Sequence, residues 1–290
     1  MIDSQPQISI IVPCYKQAHY LDTSLKSVLD QSCKSWECII VNDGSPDQTE
    51  TVAQKWCEKD ARFRYLKKEN GGLSSARNAG IAVAKGDFIL PLDADDLLHS
   101  NYLKETIAVF NANKKVAIVG CYSIFFKESI DNVVMVHKPK GNSYKSLLYV
   151  NQLVATSLYK KELWIEVGGY DESMKDGFED WDFWLSVTKR GYKYHILPKP
   201  LFYYRKATQS MLVQTIKTKA EKVKEYLIHK HREIYIEDFD NCIKVFTHHL
   251  VTSRKKEQRL QQSLEYKIGK VIVKPLKLIG ILKEQKASVK

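Results

Sequence analysis

The chain has 290 residues, 44% of them hydrophobic and 27% charged, which excludes wholesale disorder and allows one large α/β domain with a modest attachment. The formal net charge is +11, yet residues 211–290 alone hold 18 basic and 9 acidic side chains, so the body is close to balanced and the tail is basic. That asymmetry gives the tail an attachment role and places the chemistry in the body.

Along the chain, Ile8-Ser9-Ile10-Ile11-Val12, ending at Pro13, predicts a buried parallel strand. Leu21, Leu25, Val28 and Leu29 recur at helical spacing after it. Cys38-Ile39-Ile40-Val41 predicts a second strand, closed by the turn residues Asn42-Asp43-Gly44-Ser45-Pro46. Residues 48–58 read as helix, Arg64-Tyr65-Leu66 as strand, and 74–84 as helix behind an Asn70-Gly71-Gly72 turn. Phe88-Ile89-Leu90 is a further strand closed by Pro91, followed by a helix near 101–113 and a strand at 116–121. A mixed region runs to about 210, and beyond it come helical, lysine-rich segments. Strands and helices in alternation predict an α/β fold: a mainly parallel sheet with right-handed crossovers and helices on both faces, over residues 1–211. Residues 212–290 are expected to form a helical basic extension. No apolar run approaches the roughly 20 residues of a membrane-spanning helix, and the start Met1-Ile2-Asp3-Ser4-Gln5-Pro6 lacks the pattern of a secretory leader, so cytoplasmic residence is the default expectation. Six cysteines (Cys14, Cys33, Cys38, Cys57, Cys121 and Cys242) form no C-x-x-C pair and read as reduced structural thiols.

Ligands of open parallel sheets bind beyond the carboxyl ends of the strands. Two such ends carry acids: Asp43 after the second strand, and Asp93, Asp95 and Asp96 after Phe88-Ile89-Leu90. Asp93 and Asp95, two apart in extended chain, present their oxygens to one side. Such a cluster either holds a hard divalent cation, Mg2+ or Mn2+, or caps the next helix, and D-x-D alone leaves both open.

Read together, several strings bear on that choice: Ile8-Ser9-Ile10-Ile11-Val12-Pro13-Cys14-Tyr15, Val41-Asn42-Asp43-Gly44-Ser45, Asn70-Gly71-Gly72-Leu73-Ser74-Ser75-Ala76-Arg77-Asn78-Ala79-Gly80 and Leu92-Asp93-Ala94-Asp95-Asp96. Gly168-Gly169-Tyr170-Asp171-Glu172 and Phe178-Glu179-Asp180-Trp181-Asp182-Phe183-Trp184 follow in order. Over residues 7–211 the set resembles glycosyltransferase family 2, inverting enzymes of the GT-A (Rossmann-like) fold that use nucleotide-activated sugars. The resemblance implies a nucleotide-diphosphate sugar donor, UDP-linked, and a glycan or lipid-linked acceptor hydroxyl, with Mn2+ or Mg2+ as cofactor, in cell-surface polysaccharide or glycoconjugate assembly. Asp43 would accept a hydrogen bond from the nucleotide base, with Pro13 and Tyr15 lining that pocket. Arg77, at a helix N-terminus, would meet phosphate or else make a surface ion pair. Asp93 would face the ribose or metal, Asp95 would coordinate the cation, and Asp96 would support it. Asp180, preceded by Glu179, would be the general base that takes the acceptor's proton.

Trp181 and Trp184, three apart on that helix, suit core packing, with Trp181 the one to consider for stacking on an acceptor sugar. His195 lies far enough upstream of the sites to read as structural. Two departures from the family pattern stand out. The Gln-x-x-Arg-Trp motif and membrane spans of its processive members are absent, which implies one sugar per encounter. The Arg-x-His-x-x-Ser segment reads Arg205-Lys206-Ala207-Thr208-Gln209-Ser210, so Arg205 and Ser210 act there without the histidine. A sugar-nucleotide nucleotidyltransferase would need a Gly-rich basic loop where the chain has Val12-Pro13-Cys14-Tyr15-Lys16, and a purely binding protein would not need Asp95 and Asp180.

Residues 254–290 carry 11 basic and 3 acidic side chains, with Leu260, Leu264, Ile268, Val271, Ile272, Leu276, Leu278, Ile279 and Leu282 among them and Pro275 expected to break any single helix. Such a segment either lies on an anionic membrane surface or packs back on the catalytic domain. Nucleic acid is not an expected partner, because neither a recognised motif nor an aromatic stacking array is present in the tail.

Overall fold

A computed structural model describes residues 6–207 and 211–278. In chain order its elements are β1 (Ile8–Cys14), α1 (Ala18–Leu29), β2 (Trp36–Asp43), α2 (Thr49–Lys59), β3 (Phe63–Lys68), α3 (Leu73–Ala82), β4 (Phe88–Pro91) and β5 (Leu97–Leu98). There follow α4 (Tyr102–Ala112), β6 (Val116–Lys127), β7 (Ser129–His137), α5 (Tyr144–Leu147), β8 (Leu158–Lys160), α6 (Lys161–Val167), α7 (Glu179–Thr188) and β9 (Lys193–Arg205). Helices α8 (Met211–Thr218), α9 (Ala220–Lys230), α10 (Arg232–Glu237), α11 (Phe239–Gln262) and α12 (Leu264–Leu278) complete the described chain.

The strands form one sheet in the order β3-β2-β1-β4-β8-β6-β9-β5, with β7 paired on β6. β1 pairs in parallel with both β2 and β4, β2 with β3, and β6 with β9, while β5, β7 and β8 run antiparallel to their neighbours. The expected α/β architecture, mainly parallel with helices on both faces, is therefore the one the chain adopts, with antiparallel strands confined to its second half. β1 and β2 are buried along their whole length, as unbroken β-branched runs require. Helix α1 covers them with Leu21, Leu25 and Val28, and α3 approaches the sheet so closely that a Cβ at Gly80 would lie 2.6 Å from Ile11 Cγ2. Only glycine permits that approach, which draws the first turn of α3 onto the strand ends.

Two compact units divide the chain, one ending at Arg232 and the other beginning at Glu233. The division expected near residue 212 thus falls about one helix pair earlier than the observed one. The reason lies in charge pairing: Lys219 Nζ is 2.6 Å from Asp176 Oδ1, and His231 Nε2 is 2.8 Å from Asp182 Oδ1. Lysines that read as a solvated tail in the sequence meet carboxylates of the first unit. In the second unit, the expected break at Pro275 does not occur. Pro275 lies inside α12, and the chain turns instead at Ser263, whose backbone is extended between α11 and α12. A proline inside a helix removes one backbone hydrogen bond, a loss that a helix can carry without ending. Among the described residues no helix is long and apolar enough to cross a membrane.

Candidate active site

The carboxyl ends of β2, β1 and β4 lie side by side, because Val41 and Asn42 pair with Pro13 and Cys14, and Ile11 with Pro91. Asp43 at the tip of β2 is buried and fully engaged. Its Oδ1 accepts from Lys68 Nζ at 2.8 Å and Gly71 N at 3.0 Å, and its Oδ2 from Gly72 N at 2.8 Å and Asn70 Nδ2 at 3.2 Å. The Asn-Gly-Gly turn therefore wraps its backbone donors round one carboxylate and sets the start of α3. Pro13 is buried within β1, and Tyr15, one residue beyond the strand, is 43% exposed between the tips of β2 and β4.

Arg77, in the second turn of α3, is 0% exposed. Its Nη2 donates to Asp93 Oδ1 at 2.8 Å and its Nη1 to Glu179 Oε1 at 2.5 Å, so it ties the acidic turn after β4 to the start of α7, 102 residues away. Burying a guanidinium costs several kcal/mol unless it is paired, and here two carboxylates hold it charged against that burial. Neither a surface ion pair nor an open phosphate ligand describes it, since the two groups it meets are already protein carboxylates.

Asp93 and Asp95 are half-buried, whereas Asp96 is buried and accepts from the Arg205 amide at 2.8 Å. Arg205 braces the same turn with its side chain: Nε donates to the Asp95 carbonyl and Nη1 to the Glu128 carbonyl, each at 2.8 Å, and the guanidinium packs against Tyr20 and Phe126. Burial, then the neighbouring Asp93 charge, pushes Asp95 up to about 6, eased by Arg205 and a Gln17 hydrogen bond. Burial, then the charges of Asp95 and Asp93, raises Asp96 well above the usual carboxylate range. Ser210, expected to act beside Arg205, lies outside the described residues.

Asp180 occupies the first turn of α7. The turn is entered through Phe178 at φ 64°, a left-handed conformation that a bulky residue adopts only under local constraint. From it Glu179 turns inward to Arg77, and Asp180 accepts from Asn151 Nδ2 at 3.0 Å and from the Trp181 amide at 2.8 Å. Burial, and next the Glu179 charge, push Asp180 up to about 7, against the opposing pull of Arg77. Trp181 is 4% exposed, with Nε1 donating to the Leu147 carbonyl at 2.6 Å and its ring edge-on to Phe178. It is a core residue, as is Trp184, and its ring has no open face for an acceptor sugar.

Several participants carry no motif that announces them. Tyr204 stacks obliquely on Phe125 at 4.7 Å, and burial followed by the charges of Asp96, Asp93, Asp95 and Asp180 raises its hydroxyl. The ring thus lies within electrostatic reach of both the acidic turn and Asp180. Asn151 reaches Asp180 from the loop before β8. Asn78, inside the α3 motif, accepts from Trp164 Nε1 at 3.0 Å and from Tyr170 N at 2.9 Å, and a Cβ at Gly169 would lie 2.9 Å from its Oδ1. That contact explains why the Ser-Ser-Ala-Arg-Asn and Gly-Gly-Tyr strings belong together. Behind α7, Lys230 Nζ is 2.5 Å from Asp171 Oδ2 and 2.9 Å from Asp182 Oδ2, and buried His231 lies between Asp182 and Lys189 Nζ, the latter at 3.1 Å.

A family model, "Glycosyl transferase family 2", matches residues 9–167, more than half of the chain. The chain belongs to glycosyl transferase family 2. Among the relatives of this family 2 chain is the uncharacterized glycosyltransferase EpsJ of Bacillus subtilis, 32% identical over 220 residues, which are 71% of this chain and 63% of EpsJ. The uncharacterized glycosyltransferase RT0329 of Rickettsia typhi is 33% identical over 222 residues, 72% of this chain and 68% of that protein. The chain thus matches roughly two thirds of the length of these relatives. Among solved structures, S. aureus TarS 1–349 in complex with UDP-GlcNAc has a TM-score of 0.60 at 22% identity, over 71% of this chain and 60% of that one. The mannosyltransferase PcManGT from Pyrobaculum calidifontis, in complex with GDP-Man and Mn2+, has a TM-score of 0.53 at 16% identity, over 97% of this chain and 89% of that one. Both likenesses establish the GT-A fold.

Among the described residues no group of three or more His, Cys, Asp and Glu side chains is placed to hold a metal ion by itself. A pair does fit one. Asp93 and Asp95 are hard oxygen donors, half-open to solvent, and the repulsion that lifts Asp95 is what a divalent cation would relieve. Two carboxylates with the remaining positions left to phosphate and water is a usual arrangement for Mg2+.

Proposed function

We propose that this family 2 glycosyltransferase is an inverting, metal-dependent enzyme. It moves one sugar per encounter from a UDP-sugar to a hydroxyl of a glycan or lipid-linked acceptor, in cell-surface polysaccharide or glycoconjugate assembly. The observation that carries the reading is Asp180: half-buried, pushed up to about 7, and joined through Glu179 and Arg77 to the acidic turn that ends β4. A base whose pKa lies near neutrality combines the ionised form with a useful pull on the proton. In the reaction, the acceptor oxygen attacks the anomeric carbon while its proton passes to an Asp180 carboxylate oxygen. The carbon–oxygen bond to phosphate breaks on the opposite face, and the electron pair leaves with the nucleoside diphosphate. A cation held by Asp95 and Asp93 would offset charge on the departing diphosphate. Asn151 and the Trp181 amide orient Asp180, Glu179 keeps its pKa high, and Arg77 holds Asp93 and Glu179 at a fixed separation. Tyr15, exposed at the end of β1, borders the base pocket on the side of Asp43. The bound donors of TarS and PcManGT, UDP-GlcNAc and GDP-Man, support a nucleotide sugar as donor, and the Mn2+ of the latter supports a divalent ion. A lipid-linked acceptor also fits a basic extension in contact with the inner face of the plasma membrane.

Calorimetric titration of UDP with Mn2+ against the wild type, Asp95→Asn and Asp180→Asn tests the division of labour. Asp95→Asn is expected to weaken metal-dependent UDP binding. Asp180→Asn is expected to bind UDP normally and to lose transfer by about 100-fold or more, the usual contribution of a general base. Equal UDP affinity in all three proteins would remove the metal assignment, and full turnover by Asp180→Asn would remove the base.

A further inference from the structure

The second unit carries an apolar surface that none of its described residues covers. On α11, Phe239, Ile243, Phe246 and Leu250 recur at intervals of four, three and four residues, so they share one face, and each is 44% to 61% exposed. On α12, Leu264, Ile268, Val271 and Ile272 repeat the pattern at 49% to 74% exposure. No side chain of α11 is buried, and none of those described on α12 is. Single exposed apolar residues are ordinary, but two successive stripes of large ones are not.

The charge beside the stripes selects the occupant. Residues 254–276 hold seven basic side chains, Arg254, Lys255, Lys256 and Arg259 on α11 and Lys267, Lys270 and Lys274 on α12, against Glu257 and Glu265. We infer that α11 and α12 together form an interfacial element whose Phe239-to-Leu250 and Leu264-to-Ile272 stripes enter the surface of an anionic lipid bilayer, with the lysines and arginines on its headgroups. This rests on the membrane contact proposed above and adds to it. The apolar anchor begins at Phe239, ahead of the basic run, so insertion and charge attraction come from different stretches of the same element. A lysine or arginine near an anionic surface contributes about 1 kcal/mol, and a stripe of four large side chains supplies the apolar area such charges alone lack. The spacing on α11 would also suit a coiled coil with a second copy. There, however, Arg254 and Lys256 would flank the seam on both sides with like charge, and Ser253 and Glu257 would sit within it.

The test is cosedimentation of the full chain with vesicles of phosphatidylcholine alone or with about one-quarter phosphatidylglycerol, alongside its sedimentation velocity without lipid. The expected result is binding to the anionic vesicles, weakened by high salt, with little binding to phosphatidylcholine. Phe246→Glu with Leu250→Glu should lower the bound fraction about tenfold or more while leaving the unfolding midpoint of the catalytic unit and its UDP binding unchanged. Arg254→Glu with Lys256→Glu, on either side of the stripe, should abolish the preference for anionic lipid. Wild-type protein that stays with the supernatant would overturn the membrane contact itself. Binding that survives Phe246→Glu with Leu250→Glu would leave that contact standing and overturn this face as its anchor. A dimer dissolved by the same pair, without vesicle binding, would identify a second copy as the occupant instead.

Discussion

The carboxylates of the candidate site fall into two groups, held in opposite ways. At the tip of β2, Asp43 accepts four hydrogen bonds, two from backbone amides, and its charge is spent on building the turn before α3. At the end of β4 and the start of α7, Asp95 and Asp180 have fewer donors than lone pairs, and burial leaves them at about 6 and about 7. Charge that is fully paired makes the frame, and charge left partly unpaired in low dielectric is available to a cation or a proton. Within the second group Arg77 joins the two parts, because it pairs with Asp93 after β4 and with Glu179 at the start of α7.

The comparison is most easily broken at Arg77. Arg77→Met leaves two carboxylates facing one another without their cation, and is expected to lower stability by about 3–5 kcal/mol in urea unfolding. A loss below about 1 kcal/mol would mean that the pairs contribute little and the frame is held elsewhere. A smaller effect is expected behind α7, where His231 is 1% exposed and lies 2.8 Å from Asp182. His231→Leu should cost about 1–3 kcal/mol, since Asp182 keeps Lys230 as a partner. An unchanged midpoint would mean that α9 does not steady α7.

The middle of the parallel half, β1 and β2, is legible in the sequence because these strands are buried along their whole length and carry β-branched runs. The second half is not. β5 has two residues and β8 three, too short for any periodicity, and β9 contains Pro198 and Pro200, which read as loop. The structure accommodates them by skipping register: Cys121 pairs with Leu197, but Tyr122 pairs with Pro200, so Pro198 and Lys199 fall in an irregularity. The site divides the same way. Asp43, Asp93, Asp95 and Asp180 stand in short motifs beside strand or helix ends, where their chemistry is visible. The pairing of Arg77 with Glu179 spans 102 residues, and Asn151 and Tyr204 lie in segments without a pattern, so only the folded chain reveals them. Trp181 shows the converse case, in which an aromatic that invites a sugar-stacking role is packed inside, its indole fixed to Leu147.

The pH dependence follows from the sign of the Asp180 shift. Its folded pKa lies above the ordinary 3.8, so folding favours the protonated form. Its contribution to stability is fully present below about pH 4 and is lost as pH rises through about 7. A general base works in its ionised form, so the proposed role of Asp180 has the rate rise over that same upper range. The most direct test is the pH profile of kcat for UDP release from the donor selected by a nucleotide-sugar hydrolysis screen, at saturating Mn2+. The wild type should lose activity with a single acid limb near pH 7, and the residual rate of Asp180→Asn should lack that limb. A limb that persists unchanged in Asp180→Asn would contradict the assignment of Asp180 as the base.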